Sequence, residues 1–141
     1  MFQRNYTVKG EDVNDFMVMQ NAAFLKYASK LFDTFLFVNG FAKLKMNTLK
    51  VGLHKSKDTL EQQHKYLMFT QPFSIQLDFK EIESCNKKMF VDVQFFNNKK
   101  ELCAVVKREL FWFDYSTWQV ITPPKKILKH FTKTAVLQYA S

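Results

Sequence analysis

The sequence predicts an α+β protein in which an antiparallel sheet wraps around one long buried helix. Apolar residues recur at helical spacing from Ala22 to Val38 and cover more than half of the helix circumference. The runs that follow have the composition and alternation of strands. A helix this apolar needs a large apolar partner, and a sheet is the only partner of that size that the remaining sequence offers.

The composition indicates one folded domain over residues 1–141. Hydrophobic residues make up 47% of the chain and aromatic residues 16%, enough for one core in a chain too short for two ordinary domains. The opening residues lack the apolar segment of a signal peptide, and no run reaches the ~18 apolar residues that span a bilayer. We therefore expect a cytoplasmic protein with no membrane partner. Cys85 and Cys103 stand far apart without a paired motif, which indicates neither a disulfide framework nor a zinc site.

The first half of the chain is predicted to contain a short strand and the long helix. Residues 2–8 alternate well enough for a strand that ends at Lys9 and Gly10. The helix places Phe24, Leu31 and Phe35 on one stripe, and Gly40 supplies the left-handed residue expected just past its C-terminus. Residues 41–63 are polar and Lys-rich, and we expect irregular structure there with one short strand.

Four later runs are predicted to be strands: residues 64–71, 73–82, 87–96 and 102–114. In the second run every other residue is apolar, the pattern of a strand with one covered face. Turns are expected at residues 97–101 and again after Asp114, and the tail from Pro123 onwards is expected to contain one or two helical turns.

A loop motif carries a resemblance to a known family. The stretch D-V-N-D-F-M-V-M-Q-N-A-A-F-L-K-Y, from Asp12 to Tyr27, resembles the loop and helix start of the hotdog-fold acyl-CoA thioesterases. These belong to the 4-hydroxybenzoyl-CoA thioesterase-like superfamily, whose pattern is roughly D-x-D-x-x-G-H-V-N-N-A-x-Y-L. The later stretch R-E-L-F-W-F-D-Y-S-T-W-Q-V-I-T-P-P-K-K-I is similar to the way this family closes its last long strand. The resemblance covers essentially the whole chain and implies the hotdog fold.

The resemblance also implies an activity. It indicates hydrolysis of a thioester of coenzyme A or acyl carrier protein by a homodimer or a tetramer of dimers. No metal or organic cofactor is expected beyond the coenzyme A of the substrate. The free N–H groups at the helix start would polarise the thioester carbonyl, and a loop carboxylate would activate water or attack the carbonyl directly.

The sequence departs from the family pattern where the catalytic carboxylate is expected. The second Asp of the pattern falls on Asn14, its Gly on Met17 and its His on Val18. An amide does not accept a proton at neutral pH, so we expect Asn14 or Asp15 to position water, with Asp15 and Asp12 as the substitute carboxylates that the loop offers. Contacts with the substrate at the helix start are expected from Val18, Gln20, Asn21 and Ala22.

The positive charge predicts where the coenzyme would bind. The net charge is +8, and the excess lies after the first helix. Lysines flank two of the predicted turns, and we expect Lys87 and Lys88 to contact the phosphates of coenzyme A. The alternative is that they are solvated turn residues. Basic residues are nearly all Lys, without the Arg-rich or Gly-rich motifs of the common nucleic-acid modules, so no nucleic-acid partner is expected.

Two alternatives to catalysis remain open at this point. Because the expected Asp is absent, the chain is alternatively a non-catalytic hotdog module that binds an acyl thioester or a protein partner. The polar residues of the loop, Asp12, Asn14, Asp15 and Asn21, are also the types that cap helices and satisfy loop amides.

Overall fold

The protein has α+β architecture, as predicted, in a computed structural model that describes residues 2–85 and 87–131. Three α-helices and six strands follow in the order β1 (Gln3–Thr7), α1 (Asn21–Val38), α2 (Lys43–Leu49), β2 (Val51–Gln62), β3 (Pro72–Ile82), β4 (Met89–Asn97), β5 (Leu102–Asp114), β6 (Gln119–Ile121) and α3 (Lys125–Leu128). The strands form one six-stranded sheet in the order β1-β3-β4-β5-β2, and β6 pairs with β5. None of the described helices has the length and apolar character needed to cross a membrane.

The chain divides into two compact units, and both are assembled from separate segments. The first unit contains Met1–Phe32, Thr59–Asp78 and Asp92–Lys107; the second contains Asp33–Asp58, Phe79–Val91 and Arg108–Ser141. The helix α1 and the four strands β2 to β5 each contribute residues to both units. The expected single domain over residues 1–141 stays a prediction.

The helix α1 forms where the apolar spacing predicted it and ends through a glycine. Gly40 has φ +86°, a conformation that costs glycine nothing. Its N–H donates to the carbonyl of Phe37 and the N–H of Phe41 donates to the carbonyl of Leu36. These two bonds are those of a Schellman motif, which satisfies carbonyl groups that the last turn leaves free.

In the first unit the helix packs on aromatic side chains of the sheet. The rings of Phe24 and Phe95 meet edge to face with centroids 4.9 Å apart, and those of Tyr27 and Phe73 do so at 5.1 Å. The ring of Tyr6 lies 5.1 Å from that of Tyr27. Strand β1 is antiparallel to β3, with Gln3 opposite Gln76 and Thr7 opposite Pro72. Since such contacts add to the burial of large apolar surfaces, they fix the first half of α1 in place.

The second unit has an aromatic core and a buried ion pair. Phe79 lies within about 5 Å of both Phe35 and Phe131, measured between ring centroids. Arg108 donates from Nε and Nη2 to the two carboxylate oxygens of Asp58, at 2.7 and 2.9 Å. Burial acts to raise the pKa of Asp58, but the hydrogen bonds from Arg108 and Lys55 outweigh it and hold that pKa below its ordinary value.

The structure corrects the prediction for residues 41–63. They were expected to be irregular with one short strand, but they form the helix α2 and the strand β2 of 12 residues. In α2 the only buried side chain is that of Met46, so no apolar stripe announces the helix. In β2 most residues are half-buried or exposed because the strand lies at the end of the sheet, so the alternation typical of a covered strand is absent.

Two predictions for the later segments also need correction. Residues 64–71 were predicted to be a strand, but they form turns and one isolated bridge, between Val18 and Met68, with positive φ at His64 and Thr70. Their backbone partners are Val8 and residues 17–19 rather than a neighbouring strand. Beyond Asp114 the expected turn is present, but it leads into the short strand β6, which was not predicted. The predicted strands over residues 73–82, 87–96 and 102–114 are confirmed.

Candidate active site

The loop between β1 and α1 is organised around the side chain of Asp12, which is 0% exposed. One carboxylate oxygen accepts hydrogen bonds from the backbone N–H of Lys9, at 3.0 Å, and from the hydroxyl of Tyr27, at 2.6 Å. The other accepts from Nζ of Lys26 at 2.6 Å. Since Lys26 and Tyr27 lie on α1, the carboxylate ties the loop to the helix.

These hydrogen bonds determine which of the two side chains, Asp12 or Tyr27, carries a proton. Burial alone would raise the pKa of Asp12, but the donors Lys26, Tyr27 and Lys9 together hold it below its ordinary value. Burial and the bond to Asp12 both raise the pKa of the Tyr27 hydroxyl, which therefore stays a proton donor. An ionised carboxylate enclosed by three donors is suited to hold the loop in place, and it has no exposed oxygen with which to meet a water or a substrate.

Asn14 closes a tight hairpin within this loop. Its Oδ1 accepts from the N–H groups of Phe16 and Val18, at 2.9 and 3.2 Å, and its own N–H donates to the carbonyl of Val18 at 2.9 Å. Val13 and Met19 form an antiparallel bridge at the base of the hairpin. Because Oδ1 is occupied by two backbone donors, the side-chain group of Asn14 that remains for a ligand is the amide NH₂, a donor.

Asp15 is one of two exposed carboxylates of the loop; the other, Glu11, lies 3.9 Å from Nζ of Lys26. Asp15 follows Asn14 directly and makes no hydrogen bond or ion pair with any residue in the described part of the chain. A carboxylate with both oxygens free is able to accept a proton from water. Asp15 therefore has the accessibility that Asp12 lacks.

The start of α1 supplies two free N–H groups. The N–H groups of Ala23 and Phe24 donate to the carbonyl of Gln20. Those of Asn21 and Ala22 have no acceptor among residues 2–85 and 87–131, and both residues are exposed. Free N–H groups at the start of an 18-residue helix, together with its dipole, favour a negative oxygen at this position.

The side chains around the helix start are also held. Gln20 donates from Nε2 to the carbonyl of Val13 at 3.3 Å, and its N–H donates to the carbonyl of Asp12 at 3.0 Å. Oδ1 of Asn21 accepts from Nε2 of Gln62 at 2.6 Å. Gln20 thereby connects the hairpin of Asn14 to the first turn of α1, since its side chain and N–H donate to the loop and its carbonyl accepts from the helix.

Met17 occupies the position where the family pattern has Gly. Its φ is 63°, in the left-handed region that favours glycine, and a side chain there costs about 1–2 kcal/mol. Val18 stands where the pattern has His, and it is half-buried at the bridge to Met68. Met17 thus has a backbone conformation that glycine, the residue that the family pattern has at this position, would adopt without strain.

The structure places the predicted site residues in two groups. The loop and helix-start residues, Asp12, Asn14, Asp15, Val18, Gln20, Asn21 and Ala22, all belong to the first unit. Lys87 and Lys88 belong to the second unit, where Nζ of Lys88 lies 3.2 Å from a carboxylate oxygen of Glu109. Lys87 has φ 58° in the turn between β3 and β4. Their role in phosphate binding stays a prediction.

Sequence reasoning missed the residues that hold the loop from outside. Lys26 and Tyr27 bind Asp12, and Gln62 binds Asn21. A polar Lys-Tyr pair one turn into an apolar helix was the available signal for the first contact. Nothing in the local pattern indicated the second, because Gln62 lies far away in the sequence.

Comparison with known families defines the class. A helix N-terminus with free amides, preceded by a polar loop and packed on an antiparallel sheet, is the arrangement that the resemblance to thioesterases implied. The family model described as the thioesterase-like superfamily matches residues 8–131, and the chain belongs to that superfamily. A search of the curated proteins gave no match.

Solved structures confirm the hotdog fold. A hypothetical protein from Staphylococcus aureus in complex with CoA superposes with a TM-score of 0.79 at 14% identity, over 98% of this chain and 82% of that one. A gentisyl-coenzyme A thioesterase superposes with a TM-score of 0.74 at 17% identity, over 89% of this chain and 98% of that one. A 1,4-dihydroxy-2-naphthoyl-CoA thioesterase from Synechocystis superposes with a TM-score of 0.76 at 10% identity, over 99% of this chain and 98% of that one. At these identities the likeness concerns the fold.

Proposed function

We propose that the protein hydrolyses an acyl-CoA thioester at the start of α1. The observation that carries the proposal is the pair of free N–H groups of Asn21 and Ala22, two exposed residues that follow a loop with an exposed carboxylate at Asp15. Membership of the thioesterase-like superfamily supports it, and so do the CoA and CoA-thioesterase structures among the similar folds. Acyl carrier protein is the alternative carrier of the acyl group.

The chemistry assigns each group a role. Water attacks the thioester carbonyl, whose oxygen becomes negative and accepts hydrogen bonds from the N–H groups of Asn21 and Ala22. Asp15 takes a proton from the attacking water, and the amide NH₂ of Asn14 donates to the water or to the developing oxyanion. The carbon–sulfur bond then breaks, Asp15 returns its proton to the leaving sulfur, and the products are a carboxylic acid and the free thiol of coenzyme A.

The non-catalytic alternative has one observation in its favour. The residue at the place of the family's carboxylate is Asn14, and its Oδ1 already serves the hairpin. In this reading the loop and the helix start bind an acyl thioester without cleaving it. Release of thiol from acyl-CoA separates the two functions directly.

The proposal includes assembly into a homodimer, expected from the family resemblance. Strand β2 stands last in the sheet order, so one of its edges has no strand partner in the described part of the chain. An unpaired edge of 12 residues is a ready surface for a second copy. Sedimentation velocity of the purified chain tests this, and a monomer at all concentrations would contradict it. The cytoplasmic location stays a prediction.

Two substitutions test the catalytic assignment. Asp15→Asn removes the proton acceptor while keeping size, and we expect kcat to fall by at least about tenfold. Asn14→Asp retains an oxygen for the N–H groups of Phe16 and Val18 and replaces the NH₂ with a second oxygen, so we expect kcat to rise by about tenfold or more.

The measurement is thiol release from a panel of acyl-CoAs, with Asp33→Asn as a control because Asp33 is also exposed but belongs to the second unit. If Asp15→Asn hydrolyses as fast as the wild type, the proton acceptor is not Asp15. If neither the wild type nor Asn14→Asp releases thiol from any acyl-CoA, the hydrolase proposal is wrong and the binding function takes its place.

A further inference from the structure

The tip of the candidate active-site loop carries large apolar side chains in solvent. Phe16 is 80% exposed and Met17 is 51% exposed. Tyr66 and Phe69 are also exposed, on the segment whose backbone pairs with the loop. We define these four residues as the loop-tip surface. All four belong to the first unit, together with the start of α1.

The backbone beneath the loop-tip surface is rigidly hydrogen-bonded. The N–H of Phe69 donates to the carbonyl of Met17 at 2.9 Å, and the N–H of Met19 donates to the carbonyl of Leu67 at 2.8 Å. Across the hairpin, Asn14 makes the three bonds described above. Phe16 and Met17 are therefore exposed on a loop whose backbone is held by hydrogen bonds.

Met17 adds an argument from backbone conformation. A long side chain at φ 63° is unfavourable where glycine would be free of strain. The side chain of Met17 is half in solvent, so burial within this chain does not explain the strain. Strained residues of this kind are found where the side chain contacts a ligand.

The surroundings of the loop-tip surface indicate the chemistry of that ligand. Next to Tyr66 in the chain is a basic residue, Lys65, whose Nζ lies 2.9 Å from a carboxylate oxygen of Glu101. The carboxylate next to Phe16 in the chain is Asp15, which has no cationic partner in the described part of the chain. An apolar surface beside a free carboxylate attracts apolar groups and repels anionic ones.

The loop-tip surface is within reach of the proposed oxyanion site. Met17 is four residues before Asn21, which places their Cα atoms at most about 14 Å apart even if the segment were fully extended. A thioester whose carbonyl oxygen lies at the N–H groups of Asn21 and Ala22 can therefore extend its acyl group to Met17 and Phe16.

We propose that the loop-tip surface binds the acyl group of the substrate and selects uncharged hydrocarbon acyl groups over acyl groups that end in a carboxylate. Phe16 and Met17 are the specificity-determining residues. This inference rests on the proposed thioester site at the start of α1, and it goes further by naming the class of acyl group and the side chains that recognise it.

A matched pair of substrates tests the selection. Octanoyl-CoA and suberyl-CoA have acyl chains of the same length, but the second ends in a carboxylate. For the wild type we expect kcat/KM to be at least about tenfold higher for octanoyl-CoA. In Phe16→Ser and in Met17→Gly, which also relieves the backbone, we expect the ratio of kcat/KM for octanoyl-CoA to that for acetyl-CoA to fall by about tenfold, mainly through KM.

Trp118→Ser is the matched control. Trp118 is 73% exposed and its ring contacts those of Phe113 and Tyr115, so its loss should leave that ratio unchanged within about twofold. Equal hydrolysis of octanoyl-CoA and suberyl-CoA, or unchanged ratios in both loop variants, would overturn the inference while the hydrolase function stands. A loss of assembly in Phe16→Ser, seen by sedimentation, would also overturn it, because the occupant would then be a second copy of the chain.

A binding experiment keeps the inference testable if the wild type cleaves nothing. The thioether analogue of octanoyl-CoA cannot be hydrolysed, and titration calorimetry measures its affinity directly. Weaker binding of the thioether by about tenfold in Phe16→Ser, with no change in Trp118→Ser, would support acyl recognition without catalysis. Equal affinity in all three proteins would overturn it.

Discussion

At the scale of single residues, Asp12 determines the geometry of the candidate site more than any residue that faces solvent. Its carboxylate accepts hydrogen bonds from the backbone N–H of Lys9 and from the side chains of Lys26 and Tyr27. It therefore connects the loop to α1, the helix whose first N–H groups form the proposed oxyanion site. A buried ionised carboxylate is stabilising only while its donors remain in place. The sequence pattern singled Asp12 out as a possible base, and the structure shows what holds it away from solvent.

We predict that Asp12→Asn lowers the free energy of unfolding by about 2 kcal/mol at pH 7, because hydrogen bonds to a charged acceptor are replaced by weaker ones and one donor loses its partner. Urea unfolding measures this. Asp33→Asn is the control, since Asp33 is exposed and lies 4.0 Å from Lys43; its effect should stay within about 0.5 kcal/mol.

The same carboxylate predicts a pH dependence. The pKa of Asp12 is lower in the folded protein than the value of about 3.9 expected in the unfolded chain. Its stabilising contribution is therefore complete above that unfolded value and is lost as the pH falls through the folded one. The difference between the wild type and Asp12→Asn should be constant from pH 7 to about pH 5 and shrink below about pH 4. A difference that grows on acidification would contradict the assignment.

At the scale of the secondary-structure elements, Gly52 shows how β2 and the end of β5 fit together. The ring of Tyr115 lies against Gly52, where a Cβ atom would be only 2.7 Å from the hydroxyl oxygen and 2.9 Å from Cε2. The same hydroxyl forms a hydrogen bond with Nε2 of His54. Glycine is favoured here by the closeness of a ring and not by a special backbone conformation.

We predict that Gly52→Ala lowers the free energy of unfolding by about 1–2 kcal/mol, since the ring of Tyr115 must move and give up its bond to His54. In a Tyr115→Leu background the cost should largely disappear, which a double-mutant cycle measures. Gly10→Ala is the control, because the nearest atom to its added Cβ is at 3.8 Å and ordinary contact results. An unchanged cost in the Tyr115→Leu background would place the clash elsewhere.

The elements also show how far the sequence predicts the fold. Strands β3 and β4 were predictable because one face of each is buried and the other is half-buried or exposed, so that apolar and polar residues alternate along the sequence. The helix α2 and the edge strand β2 were not, since their burial is set by neighbours far away in sequence. In the site, the loop pattern identified Asp12, Asn14 and the helix start, whereas the anchoring by Tyr27 depends on contacts across the fold that a local pattern does not encode.

At the scale of the whole molecule, some paired strands are neighbours in the sequence and others are far apart in it. Strands β4 and β5 are joined by a short turn in which Oδ1 of Asn97 accepts from the N–H groups of Lys99 and Glu101. Strand β1 instead pairs with β3, with Gln3 opposite Gln76. Closing a long loop costs more entropy than closing a short one, so the two pairings should form at different stages.

We predict that Asn97→Ala slows folding, whereas Tyr6→Ala mainly speeds unfolding. The turn of Asn97 belongs to the local β4–β5 pairing and should already be formed in the transition state. Tyr6, on β1, contacts Tyr27 and Phe73 and should find them later. Stopped-flow refolding and unfolding in urea measure both rates. A slower folding rate in Tyr6→Ala would mean that the distant pairing forms first.

The pairing of β1 with β3 has a consequence during synthesis. The ribosome produces β1 and the apolar helix α1 before β3, the strand that receives β1, which is translated only after α2 and β2. Until then Phe24, Leu31 and Phe35 of α1 have no sheet to cover them. The apolar face of α1 is therefore exposed to aggregation until β3 has been translated, and slower translation would lengthen that interval.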